Sequence, residues 1–276
     1  MPVSLYQHLL GLNKPHDGCL ASKPASDVER IIDCFLFFEH ITFPAEVLAY
    51  NDGIPTLVFF AKPAVFTFVK EEERQQVEGA YLSTQLLNNA YIQPVRHVQS
   101  LFIVRFRPET FYSLVPFPLQ SLQQKIAWTP EELWGGDGSI LQRQAAKAGL
   151  HEKIRLVEDF VRRQAAVFLP ENHVLEQVIR QISQQKGTLP IQQVKPPLPV
   201  GYKWLERHFL QCLGLSPKAF SRLQRFIHAY FQLMETRDLL RVSLDNGFYD
   251  QNHLGKEFKF FTGKSPMAYL KIHADA

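Results

Sequence analysis

The chain has 276 residues, 46% apolar and 21% charged, with 22 Phe against 3 Trp and a formal net charge of +3. That composition is globular and excludes long disorder, and the net charge alone does not suggest nucleic acid. The length suffices for two domains, each with a sizeable core. Three cysteines, Cys19, Cys34 and Cys212, are too few and too scattered for a disulfide framework, which fits a reducing compartment. The opening segment MPVSLYQHLLGLNKPHDG lacks a basic region followed by an apolar one, and no run approaches the ~20 apolar residues of a membrane span. The expectation is a cytoplasmic protein with no membrane partner.

From about Ile31 to Arg107 the sequence predicts strands. IIDCFLFFEH, TLVFFA, AVFTFV and HVQSLFIVRF are rich in β-branched and aromatic residues and are separated by Gly, Pro, Asn and Asp. Such spacing predicts a sandwich or barrel. In LFIVRF, Leu101, Ile103 and Arg105 alternate with Phe102, Val104 and Phe106, so both faces are apolar, as in a strand buried within a closed sheet.

After Pro108 the period becomes helical. ETFYSLV and PLQSLQQKI read as helices, TPEELWG opens another with Thr129 as N-cap, and HEKIRLVEDFVRRQAAVFL is amphipathic until Pro170. Beyond Pro170 the candidate helices are HVLEQVIRQISQQ, IQQV, a segment from about Tyr202 to Cys212, PKAFSRLQRFIHAYFQLM, RDLLRVSLDN, DQNHLGKEFKFF and PMAYLKIH. The expected division is 1–107 β-rich, 108–169 a helical extension of it, and 170–276 all-helical. The fold class is therefore α+β and multidomain.

Charge is unequally divided. Residues 1–170 carry 16 basic and 18 acidic side chains, whereas residues 171–276 carry 14 and 9. The helical part is thus the one suited to phosphates. Within it LERHFLQCLGLSPKAF and LGKEFKFFTGKSPMAY echo one another, which points to a duplicated helical unit.

In the second copy, Gly247 supplies a left-handed turn, Phe248 an apolar plug, and Asp250 the cap of the next helix. That helix buries Leu254 and Phe258 and presents Gln251, Asn252, Lys256 and Lys259 at neighbouring positions. A helix-turn-helix that reads the major groove needs such an arrangement: Asn and Gln pair with adenine, Lys and Arg with guanine or phosphate. Gly255 removes bulk where the helix would approach the DNA backbone. Lys218 and Lys264, each after a Gly and near a helix start, suit phosphates and solvent equally.

GFYDQNHLGKEFKFFTGKSPMAYL, residues 247–270, resembles the C-terminal signature of the AraC/XylS family of bacterial transcription regulators. The resemblance implies a DNA-binding domain of about a hundred residues with two helix-turn-helix units and double-stranded DNA as partner. Carried over by position, Gln251, Asn252 and Lys256 would read bases and Lys259 would lie nearer the backbone. In the first unit Tyr202, Lys203, Glu206 and Arg207 would occupy the recognition helix. FRPETFYSLVPFPLQSL and Leu-Trp-Gly at 133–135 resemble the sensor half of a subgroup, which implies a cupin-like N-terminal domain, a small-molecule effector and a homodimer. RNA polymerase is a further partner for such a regulator. The first unit departs from the pattern: Pro196 and Pro197 stand where a supporting helix is expected, at a cost of roughly 3 kcal/mol each inside a helix.

No cofactor, metal or catalytic residue is expected. His97 and His151 are isolated, HDGC at 16–19 offers two ligands of the three or four a metal needs, and no nucleophile elbow, P-loop or dinucleotide fingerprint is present. The acidic runs Glu131-Glu132 and Glu71-Glu72-Glu73 suit helix starts and solvated loops. The competing reading is a ligand-binding or protein-interaction module whose DNA-binding domain has degraded; an enzyme built on the β domain comes third.

Overall fold

The computed structural model describes residues 19–39, 47–48, 53–60, 65–70, 72–83, 90–94, 98, 100–165, 172–194 and 200–272. Nine strands, all paired antiparallel, form two sheets among these residues. The strands are β1 (Cys19–Ser22), β2 (Ile32–Glu39), β3 (Val47–Leu48), β4 (Thr56–Phe60), β5 (Val65–Lys70), β6 (Glu73–Glu78), β7 (Ala80–Ser83), β8 (Ala90–Pro94) and β9 (Ser100–Phe106). One sheet has the order β1-β2-β9-β4-β7 and the other β3-β8-β5-β6.

Strand alternation explains the layering. In β9, Leu101 and Ile103 meet Leu36 and Phe38 of β2, Val58 and Phe60 of β4, and Phe66, Phe68 and Ile92 of the second sheet. Phe102, Val104 and Phe106 point the other way, with Phe35, Phe37, Leu57 and Phe59, into a core closed by helices. LFIVRF is therefore apolar on both faces because a sheet covers one and helices the other. Of the two expected architectures, sandwich or barrel, the described residues form the sandwich: two sheets face each other, and the closed sheet expected around LFIVRF does not form among them. Arg105, 1% exposed, lies on the same side of β9 as Ile103, between Cys34 and Thr56 of the flanking strands.

The helical cover begins at α1 (Pro108–Phe111), continues through 3₁₀ turns at Tyr112–Leu114 and Leu119–Gln124, and ends with α2 (Pro130–Lys147) and α3 (Leu150–Ala165). Thr129 caps α2 as expected: its Oγ1 accepts from Glu132 N at 3.2 Å, and the Glu132 carboxylate accepts from Thr129 N at 2.9 Å. On α3, Val157, Phe160 and Val161 enter the core. The expected boundary at Pro170 lies outside the described residues.

The C-terminal part comprises α4 (His173–Gln184), a 3₁₀ turn at Ile191–Gln193, α5 (Tyr202–Leu213), α6 (Pro217–Thr236), α7 (Leu239–Asp245), α8 (Gln251–Thr262) and α9 (Pro266–Ile272). These surround one core in which Phe209, Phe220 and Phe226 are almost completely buried and Phe231 partly so. The segment expected as a helix at IQQV is a single 3₁₀ turn, while its counterpart α7 is a seven-residue α-helix. Pro196 and Pro197 lie outside the described residues.

The duplication is regular at an offset of 49 residues: Leu205, Phe209 and Phe220 correspond to Leu254, Phe258 and Tyr269, all buried. Gly214 and Gly263 close the two equivalent helices in the left-handed conformation, with φ of 70° and 71°. Ser216 and Ser265 then accept from Ala219 N and Ala268 N at 3.2 and 3.3 Å. The three cysteines are free, and burial pushes the Cys212 thiol up to about 12, so it packs as an apolar group.

Gly187 fixes α4 against α6. Its φ is +66°, a Cβ there would lie 2.0 Å from the Ser221 carbonyl oxygen, and the Ser221 hydroxyl donates to the Gly187 carbonyl at 2.9 Å. Gly187→Ala combines a left-handed penalty of about 1–2 kcal/mol with a backbone overlap. It should lower stability in chemical denaturation by more than about 2 kcal/mol, and an unchanged midpoint would refute this packing.

Candidate nucleic-acid interface

The expected recognition side chains fall into two groups, one on each equivalent helix. On α8, Gln251, Asn252, Lys256 and Lys259 are all exposed, while Leu254, Phe258, Phe261 and Thr262 are buried behind them. On α5, Tyr202, Lys203 and Arg207 are exposed and Glu206 is half-buried, with Leu205, Phe209, Cys212 and Leu213 behind. Tyr202 and Lys203 match Gln251 and Asn252 in the repeat, Arg207 matches Lys256, and Glu206 matches Gly255. Burial, with the Glu206 carboxylate as the lesser cause, raises the Tyr202 phenol.

The start of α8 is built as the sequence predicts. Gly247 has φ +67°, Phe248 is 4% exposed, and the Asp250 carboxylate accepts from His253 N at 2.7 Å. The His253 ring lies 5.4 Å from Phe248, edge to face, and its Nδ1 accepts from Tyr249 N at 3.4 Å. α5 starts less firmly, because Gly201 offers no side-chain cap.

From behind, α8 is clamped to α6. Phe226 stacks on Phe261 at 4.2 Å, Tyr230 on Phe258 at 6.0 Å, and the Tyr230 and Tyr269 hydroxyls are 3.0 Å apart. Nearer the surface Arg222 donates to Glu257 at 2.6 Å, and its guanidinium lies 3.8 Å over Phe260. On α5, His208 stacks on Trp204 at 3.8 Å and its Nδ1 lies 2.8 Å from the Trp204 carbonyl.

Two features escaped the sequence reading. Tyr249, 90% exposed, stands directly before the cap of α8, where an aromatic between the plug and the cap was the available signal. Arg222 and Arg225 are half-buried on α6 and were hidden in a helix read as core. Lys218 and Lys264 part company: Lys218 is exposed on α6, whereas Lys264 Nζ sits 4.8 Å over the Tyr91 ring of β8. Among the described residues no group of three or more His, Cys, Asp or Glu could hold a metal, and no helix is long and apolar enough to cross a membrane.

Residues 198–272 match the family described as a helix-turn-helix domain. The C-terminal region is an AraC-type helix-turn-helix domain. The match begins at residue 198, so α4 and the 3₁₀ turn at Ile191–Gln193 lie outside it. No curated protein matches the chain.

Solved structures of similar shape include ToxT from Vibrio cholerae O395, 10% identical over 92% of this chain and 96% of its own, with a TM-score of 0.44. ToxT of Vibrio cholerae strain SCE256 with bound unsaturated fatty acid is 11% identical over 92% and 93%, with a TM-score of 0.40. The AraC-like transcriptional activator CuxR is 9% identical over 98% and 88%, with a TM-score of 0.27. At these identities and scores the likenesses assign no ligand, partner or assembly to this chain.

In the AraC-type domain the second unit should be sensitive to both its cap and its clamp. Asp250→Ala should cost about 1 kcal/mol of stability. Arg222→Ala leaves the buried Glu257 carboxylate without its donor and should cost about 1–3 kcal/mol. Denaturant titration checks both; no change in either variant would mean that aromatic packing alone holds α8.

Proposed function

We propose that the chain is a sequence-specific transcription regulator in which α5 and α8 enter successive major grooves on one face of the duplex. The observation that carries this reading is the repeat itself. Two helices with equivalent buried faces hang on one connecting helix, and each leaves a polar face uncovered. Gln251, Asn252 and Lys256 read base edges at about 1–3 kcal/mol for each good bidentate pair, and Lys259 reaches the backbone. Tyr202, Lys203, Glu206 and Arg207 serve the first groove. RNA polymerase is the proposed partner at the promoter, and the cytoplasm the compartment.

The proposed division is 1–107, 108–169 and 170–276, with the first part as an effector domain. Its support is the way the N-terminal region meets the DNA-binding one. The Gln123 amide donates to the Gly214 carbonyl at the end of α5, and the Tyr91 hydroxyl donates to the Thr262 carbonyl at the end of α8. α8 is thus touched at its C-terminal end by the part proposed to bind the effector, and α5 by the helical extension of that part. A change of shape there has a direct mechanical route to both.

The reduced support of the first unit favours a second reading, in which only α8 discriminates. Selection of bound sequences from a random DNA pool by the full chain separates the two. Two half-sites about 34 Å apart are expected, with affinity falling steeply as salt rises. A single half-site would confine reading to α8; no enrichment at any salt would leave a protein-interaction module. Lys256→Ala should relax preference at one position of the enriched motif, and an unaltered preference would remove Lys256 from base contact.

A further inference from the structure

We propose that the cleft between the two helix-turn-helix units grips a backbone phosphate of the bound DNA, through Lys218 and Arg225 of the connecting helix α6. This rests on the DNA-binding reading and adds to it a contact made by neither recognition helix. The cleft has a volume of about 580 Å³ and is backed by the Gly187–Gln192 segment. Tyr202, from the first turn of α5, and His253, from the first turn of α8, both line it. A duplex that receives these two helices in successive major grooves carries the intervening minor groove and its two phosphate strands across the mouth.

The floor is positive for a structural reason. Lys218, Arg222 and Arg225 recur at positions one and two turns apart, so α6 turns them all to the same side. Among the described lining residues Glu257 is the one acid, and it is committed to Arg222 at 2.6 Å. Lys218 is exposed and Arg225 lacks a carboxylate of its own. The Arg225 Nε is buried without a hydrogen-bond partner, and its guanidinium lies 4.8 Å over the Phe248 ring. Burial lowers the Arg225 pKa, with Arg222 adding to the effect and Glu257 opposing it. A half-buried guanidinium with an unpartnered Nε, held against an aromatic face with its nearest acid already taken, is a site for an external anion. Every phosphodiester supplies that anion irrespective of sequence, so the contact sets position and affinity, not preference.

Methylphosphonate substitution tests this directly. The enriched site is prepared with each phosphate between the half-sites neutralised in turn, and Kd is measured for the full-length wild type, Lys218→Gln and Arg225→Gln. One neutralised position should weaken the wild type about tenfold. On unmodified DNA Lys218→Gln should lose a similar factor and lower the slope of log K against log salt by about one. On the neutralised DNA the same substitution should cost nothing more, and the enriched motif should not change. If no position between the half-sites matters, or if the two losses simply multiply, the proposal falls while the regulator reading stands. A wild type that binds no DNA would sink both. Arg225 also packs on Phe248, so Lys218→Gln, an exposed change, keeps the outcome decisive if the Arg225 variant unfolds.

Discussion

The packing of two equivalent helices against a single long one governs the geometry of the helical part. α6 has 20 residues and so a length of about 30 Å, close to the ~34 Å between successive major grooves on one face of DNA. Phe209 meets Phe220 near its start, and Phe258 and Phe261 meet Phe226 and Tyr230 further along. Truncating any one of these buried aromatic side chains would cost about 3–5 kcal/mol, so the contacts cannot slide without opening the core. The separation of the two exposed faces is thereby a property of side-chain packing and not of linker length.

The N-terminal region is tied into the same frame. Beyond the two hydrogen bonds at the ends of α5 and α8, Tyr112 packs against both its own helical core and the C-terminal one. Phe220 and Leu223 of α6 approach Gly53 so closely that a Cβ there would lie 3.1 and 3.2 Å from them, tighter than ordinary van der Waals contact. Sheet, helical extension and connecting helix thus share contacts, and the effector response proposed above would pass from the sandwich to the helix-turn-helix units through them. Such a ligand must bind two arrangements with different affinity, since equal affinity moves nothing.

Much of this was legible in the sequence, for identifiable reasons. The turn from Gly247 to Asp250 and the face from Gln251 to Lys259 were readable because helix caps and the 3.6-residue period act within a few positions. Strands β2, β4, β5 and β9 were readable from their aromatic content. Strand β6, ERQQVE, was not: it is a polar edge strand with only Val77 buried. Spacing left sandwich and barrel both open, because alternation shows that both faces of β9 are covered, not by what. The cleft was invisible because its lining comes from residues 187–192, 202, 218–225 and 253–257, which only the packing on α6 assembles. Tyr91 and Thr262 are 171 positions apart, beyond any local pattern.

α6 holds the two exposed helix faces at a fixed spacing. The most direct test is the affinity of the full chain for its selected site when about five base pairs, half a helical turn, are inserted between the half-sites. Rigid spacing predicts that binding falls to the level of a single half-site and recovers little when a full turn is inserted. Equal affinity for the native and the half-turn spacing would contradict the account, because it would mean that the two helices reach DNA independently.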